Sequence, residues 1–240
     1  MAKKNQSFWD NLDPLLSEVR YMEFTGGEPF MIQEHFDLLS RLVETGVAKD
    51  IEIHYNTNGT MYPEHAEEIW QHFKTVEIAF SIDDLGPRFE YQRMNAQWDK
   101  VNENIQKFRL LRHRWSNIQL QVCSTVNVFN VMYLEGLANW IDQQDFDFIY
   151  WNMLHEAYYH SVSTLPDKAK KTAISRLNAA DVSERHKTEF SRIVDFIGNG
   201  VSLDGNILRM KVADVDWRRK QDLRTHHPEL AEAIDYEGPQ

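Results

Sequence analysis

Hydrophobic positions along the chain switch between two periods, and the switch recurs in order. Alternating or β-branched apolar stretches predict strands over Tyr21–Thr25, Asp50–Tyr55, Thr75–Ser81, Ile118–Val126 and Phe146–Trp151. Between them the spacing turns helical, over Phe30–Val47, Pro63–Phe73, Trp98–Arg112 and Tyr133–Ile141. A further helix is predicted ahead of the first strand, over Ser7–Val19, on Phe8, Trp9, Leu12, Leu15, Leu16 and Val19. After about Ser163 only helical spacing remains, over Asp167–Leu177, Ser183–Ile197 and Val212–Arg224, with a turn at Ser202–Gly205 before the last of these. Strands that alternate with helices read as βα units with parallel strands and right-handed crossovers. The expected fold is α/β: a parallel barrel or open parallel sheet over residues 1–160, followed by a helical C-terminal extension over residues 161–240.

One stretch stands at the centre of this pattern. Gly26-Gly27-Glu28-Pro29 follows the first strand directly. The glycines free the backbone, and Pro29 holds Glu28 in an extended or turn conformation. The turn therefore presents a fixed acid at the carboxyl end of a strand, where ligands of parallel sheets sit. Polar residues mark the other strand ends as well: Asn58, Ser81 with Asp83, Thr125 with Asn127, and Asn152. Each alone is also what loop capping requires. Together they are expected to line one ligand site.

Composition narrows the function. A hydrophobic content of 42% and seven tryptophans belong to a folded globule. The net charge of −11 argues against nucleic acid as a partner, since phosphate neutralisation drives that binding. No apolar run has the length of a membrane helix, and Met1-Ala-Lys-Lys-Asn-Gln-Ser is not a secretory signal. The single cysteine, Cys123, excludes a disulfide within the chain and fits a cytoplasmic location. It falls mid-strand, where a thiol is core filler. His155, Glu156 and His160 lack the i, i+4 histidine spacing of a zinc helix, so no metal ligands are assigned. His226-His227 reads as a solvated turn, and Arg218-Arg219-Lys220 as the wet face of a helix.

The motifs resemble those of the radical S-adenosylmethionine (SAM) superfamily, and most of all its twitch-domain-containing members. Gly26-Gly27-Glu28-Pro29 is similar to the family's tetrad for the SAM amino group. Asn56-Thr57-Asn58-Gly59 resembles its Thr-Asn-Gly strand ending. Ser81-Ile82-Asp83, Tyr91-Gln92-Arg93 and Ser124-Thr125-Val126-Asn127 with Asn130 resemble the next two strand endings. The resemblance implies Ser81 and Asp83 at the SAM ribose, Arg93 at the SAM carboxylate, and Thr125 and Asn127 near ribose and adenine. It also implies a partial (β/α) barrel whose first strand is missing, within residues 1–160, a [4Fe–4S] cluster, and reductive cleavage of SAM to a 5′-deoxyadenosyl radical that acts on an unknown substrate. The family holds that cluster on Cys-x-x-x-Cys-x-x-Cys after its first strand, and neither motif nor strand is found in these 240 residues. The expectation is thus an amino-terminally truncated member, with the cluster present only in a full-length form and SAM binding weak or absent here. The alternative is a non-catalytic nucleoside- or SAM-binding pseudoenzyme or partner subunit. A weaker rival is a barrel hydrolase with Glu28 and Asp83 as acid and base. Without the first strand, the Tyr21–Thr25 edge is expected to invite self-association.

Overall fold

The computed structural model describes residues 11–12 and 14–238. Five strands form one open sheet in the order of the chain: β1 Tyr21–Phe24, β2 Glu52–Thr57, β3 Thr75–Ser81, β4 Ile118–Val126 and β5 Phe148–Met153. β1 and β2 are parallel with Tyr21 opposite Glu52, and β2 and β3 are parallel with Glu52 opposite Thr75. Hydrogen bonds from Val76 to Asn117 and from Ile82 to Cys123 keep a constant offset, which makes β3 and β4 parallel too. The helices are α1 Gln33–Glu44, α2 Glu67–Trp70, α3 Gly86–Gln92, α4 Trp98–Arg114, α5 Leu134–Gln143, α6 Asp167–Ala179, α7 Glu184–Asn199, α8 Asn206–Arg219, α9 Leu223–His226 and α10 Pro228–Ala233. This is the α/β strand order of an incomplete (β/α) barrel with a helical extension.

The chain divides into two compact units. Of the described residues, the first takes those within 1–81, 99–122 and 146–148, and the second those within 82–98, 123–145 and 149–240. In the first, the buried face of β2 is Ile53, Tyr55 and Thr57, which follows from its strict alternation. An aromatic cluster fills its core: Phe30 lies 5.1 Å from Tyr55 and 5.8 Å from both Trp70 and Phe108. The Trp70 indole N–H donates to the Tyr55 hydroxyl at 3.2 Å, so the polar ends of both rings are satisfied inside the core. In the second, Trp98 packs edge-on against Phe89 and Trp140, and Trp151 against His186 and Phe190.

Several predicted elements are corrected in detail. The helix read from Phe30 begins at Gln33, because Pro29–Met31 is a 3-10 turn and Ile32 is extended. The stretch read as one helix over Pro63–Phe73 holds a 3-10 turn, Glu64–Ala66, and only one α-helical turn, α2. Its periodicity is nonetheless real, since Ala66, Trp70 and Phe73 are buried. The helix read over Val212–Arg224 is two, broken at Lys220 with φ 53°. Asn152 lies inside β5 and not after it. Of the predicted Ser7–Val19 helix, residues 11–12 and 14–16 are helical, and Phe8 and Trp9 lie outside the described residues.

His227 is the largest correction. It is fully buried, not solvated, and packs against Tyr91, Phe129 and Tyr133. Neither ring nitrogen has a hydrogen-bond partner. Burial, with Arg88 and His226 nearby, lowers its pKa to about 3. An imidazole that stays neutral in the native state and charges near its ordinary value when unfolded stabilises the fold only above that value. This stability is lost as pH falls from about 6.5 towards 3. Between pH 7 and pH 5, the wild type should lose about 2 kcal/mol more stability than His227→Phe, as read from urea denaturation at the two pH values.

Candidate functional site

In the first unit the site begins with two glycines. Gly26 has φ +83° and Gly27 φ +23°, values that side chains rarely adopt. The turn swings Glu28 inward, to 7% exposure, in the extended conformation that Pro29 enforces. Three donors meet its carboxylate. The Thr57 hydroxyl lies 2.9 Å from both oxygens, the Asn58 N–H donates at 2.9 Å, and the Phe30 N–H donates at 3.3 Å. Burial raises the pKa of Glu28, and the bonds from Asn58, Thr57 and Phe30 oppose that rise. A carboxylate has about four lone-pair positions, so one remains for a further donor. No ion pair of Glu28 occurs among the described residues. The carboxylate is thus nearly dry, hydrogen-bonded, and lacks a cation.

The ending of β2 is built around this carboxylate. The Gly59 N–H donates to the Thr57 oxygen at 3.1 Å, and the Gly59 carbonyl accepts from the buried Asn104 amide at 2.9 Å. The Asn58 side chain accepts from the N–H and hydroxyl of Thr60, so its amide oxygen serves its own turn. Ser81 is the last residue of β3 and is half-buried.

The second unit assembles the other predicted residues. The guanidinium of Arg93 pairs with Asp83 Oδ2 at 2.6 Å, and Asp83 Oδ1 accepts from the Thr125 N–H at 2.8 Å. Arg93 Nε is buried and unpartnered. Asn127 is spent on local structure: its amide donates to Gln92 Oε1 and the Thr125 carbonyl, and its oxygen accepts from the Phe129 N–H. Asn130, 1% exposed, donates to the carbonyls of Asp83 and Thr125 and locks these two strand ends together.

Sequence reasoning missed Asp84 and Gln92. Asp84 is 1% exposed and bonded by Arg88 and the Leu85 N–H. Burial raises its pKa to about 6 against the pull of Arg88. Nothing in the pair Asp83-Asp84 marks which acid is the more deeply buried, whereas Arg88 at i+4 from Asp84 is a readable signal of pairing.

The radical SAM superfamily model matches residues 12–135, just over half of the 240 residues. No curated protein matches the chain. Similar solved structures include native anSMEcpe with bound AdoMet, at 19% identity and a TM-score of 0.49 over 83% of this chain and 53% of that one. Another is native anSMEcpe with bound AdoMet and the Cp18Cys peptide, at 17% identity and a TM-score of 0.47 over 84% and 57%. The chain thus spans just over half the length of these structures.

The residues present do not fit a [4Fe–4S] cluster, which takes several thiolates. The sequence holds one cysteine, and burial together with Asp83 raises the pKa of its thiol, against thiolate formation. Among the described residues no group of three His, Cys, Asp or Glu is placed to hold a metal ion. No helix there is long and apolar enough to cross a membrane.

The Thr57–Gly59 ending can be tested directly. A Cβ at Gly59 would lie 3.0 Å from Val101 Cγ1 at φ +76°, whereas one at Gly26 meets nothing within 4 Å. Gly26→Ala should cost about 1–2 kcal/mol from backbone strain alone, and Gly59→Ala more, because Val101 must also shift. Urea denaturation of the two variants checks the order.

Proposed function

The chain belongs to the radical SAM superfamily, and from that premise we propose that it is the SAM-binding part of a radical SAM protein. The observation that carries this reading is Glu28, a buried carboxylate with three donors, one lone-pair position to spare and no cation among the described residues. Buried charges are ordinarily paired, so a ligand ammonium is the natural counter-ion. In the second unit, Asp83 keeps lone pairs for sugar hydroxyls, and Arg93 keeps donors, Nε among them, for a carboxylate. Taken unit by unit, Glu28 suits an amino group, and the Asp83–Arg93 pair suits sugar hydroxyls and a carboxylate, the kinds of group that SAM carries. Gly26, Gly27 and Pro29 shape the turn, and Asn58, Thr125 and Asn127 hold the strand endings that carry these groups.

The protein's own contribution is to bind and orient. Radical chemistry, where it occurs, needs thiolates from residues other than these 240. The bonds named above are worth about 1.5–3 kcal/mol each, and ordering the ligand costs a comparable amount, so SAM should bind the chain alone with a dissociation constant of about a millimolar. The second reading is a binder without catalysis, and the cysteine count fits it and the first equally.

Ligand-observed NMR tests the assignment. Glu28→Gln should weaken SAM and methionine about tenfold while leaving 5′-deoxyadenosine, which has no ammonium, unchanged. Equal loss for all three ligands, or none, would remove Glu28 from the ligand. Fusing a Cys-x-x-x-Cys-x-x-Cys segment ahead of Met1 separates the two readings after anaerobic reconstitution. Formation of 5′-deoxyadenosine with dithionite marks an enzyme; SAM binding without it marks a binder.

We also assign self-association to the β1 edge, where Tyr21 is 55% exposed and β2 is the one hydrogen-bonded neighbour among the described residues. Sedimentation velocity should show a concentration-dependent dimer that Glu23→Pro abolishes, since in the register with β2 the Glu23 N–H lies on the outer side of β1. A monomer at every concentration would refute it.

A further inference from the structure

Within the second unit, the C-terminal segment grips one residue on several sides, and that residue is Tyr91. Its hydroxyl donates to Asp216 Oδ1 at 2.9 Å, and its carbonyl accepts from Arg219 Nη1 at 3.2 Å. Its ring packs 5.3 Å from His226 and 5.1 Å from His227. Asp216 is 0% exposed, and its second oxygen accepts from the Tyr236 hydroxyl and the Leu223 N–H, both at 2.8 Å. Burial and the Asp216 charge raise the pKa of both phenols, so they remain donors.

Such a cluster is a costly way to hold two elements together. Apolar residues of similar volume would pack without burying a charge, and the best-attested use of buried polar groups is to fix register. The register here matters. Tyr91 lies in α3, a helix of seven residues that is too short to stand alone. The next two residues are Gln92, which accepts from Asn127, and Arg93, which pairs with Asp83. A turn or slide of α3 would carry Arg93 off Asp83.

We propose that Asp216, Tyr236 and Arg219 are positioning residues: through Tyr91 they set the placement of α3 and so of the Arg93–Asp83 pair. The ligand role of that pair rests on the function proposed above; its placement does not.

The experiment reads placement and ligand separately. The ¹⁵Nε–H resonance of Arg93, assigned with Arg93→Lys, reports placement in the full chain without ligand. SAM titration reports binding. Tyr236→Phe, which removes one hydrogen bond, and Asp216→Asn should both shift the Arg93 resonance, speed its hydrogen exchange and weaken SAM about tenfold. Ile193→Ala, a core change in α7, should lower Tm and leave both readouts as in the wild type. If Tyr236→Phe and Asp216→Asn lower Tm but keep the wild-type resonance and affinity, the cluster is structural only and the inference is overturned. If Asp216→Asn does not fold, Tyr236→Phe decides. If the wild type binds no SAM, the functional reading fails, and the Arg93 resonance alone decides the inference.

Discussion

The structure of the first unit depends on how one carboxylate is kept out of water. A buried, unpaired anion is among the costlier groups a fold can carry, and hydrogen bonding is what makes it tolerable. Glu28 draws its donors from two places: its own turn, through Phe30, and the end of β2, through Thr57 and Asn58. The donors exist only if the turn after β1 and the end of β2 lie side by side. That arrangement requires the parallel register of Tyr21 with Glu52 and the left-handed conformations of Gly26 and Gly59. Asn104 on α4 then fixes the Gly59 carbonyl. The glycines, the threonine and the asparagine are parts of one solution to the burial of Glu28.

Much of this was legible in the sequence, for a physical reason. Strand alternation reports burial on one face, and the five strands lie close to where the pattern puts them because each must bury that face. Gly-Gly-Glu-Pro and Thr-Asn-Gly are legible because glycine and proline constrain the backbone whatever surrounds them. The failures are of another kind. α3 was missed because a seven-residue helix has too few turns to show a period. The break at Lys220 was missed because its left-handed residue is not glycine. His227 was read as exposed because a polar residue before Pro228 looks like a turn. Its burial is decided by Tyr91, Phe129 and Tyr133, all distant in sequence.

The same division separates the Glu28 turn from the Asp83–Arg93 pair. The Glu28 turn is local, with most of its parts within a few residues or in the neighbouring strand. The Asp83–Arg93 pair is local in sequence too, but its orientation is not. Thr125 holds one oxygen of Asp83, Asn130 holds its carbonyl, and Asp216 holds the residue two before Arg93. A motif names such residues; it does not say what keeps them in place.

That difference bears on what the helical extension does. Tyr91 and Asp216 are 125 residues apart, and closing so long a loop is entropically expensive. Contacts that merely covered apolar surface could be met by many sequences and many registers. A carboxylate between two phenols and a backbone N–H accepts only one register, because a shift of an ångström or two leaves a buried charge without its donors. The cost of burying Asp216 is therefore also the source of its precision. A segment that is tied to α3 in this way fixes the helix from which Arg93 extends.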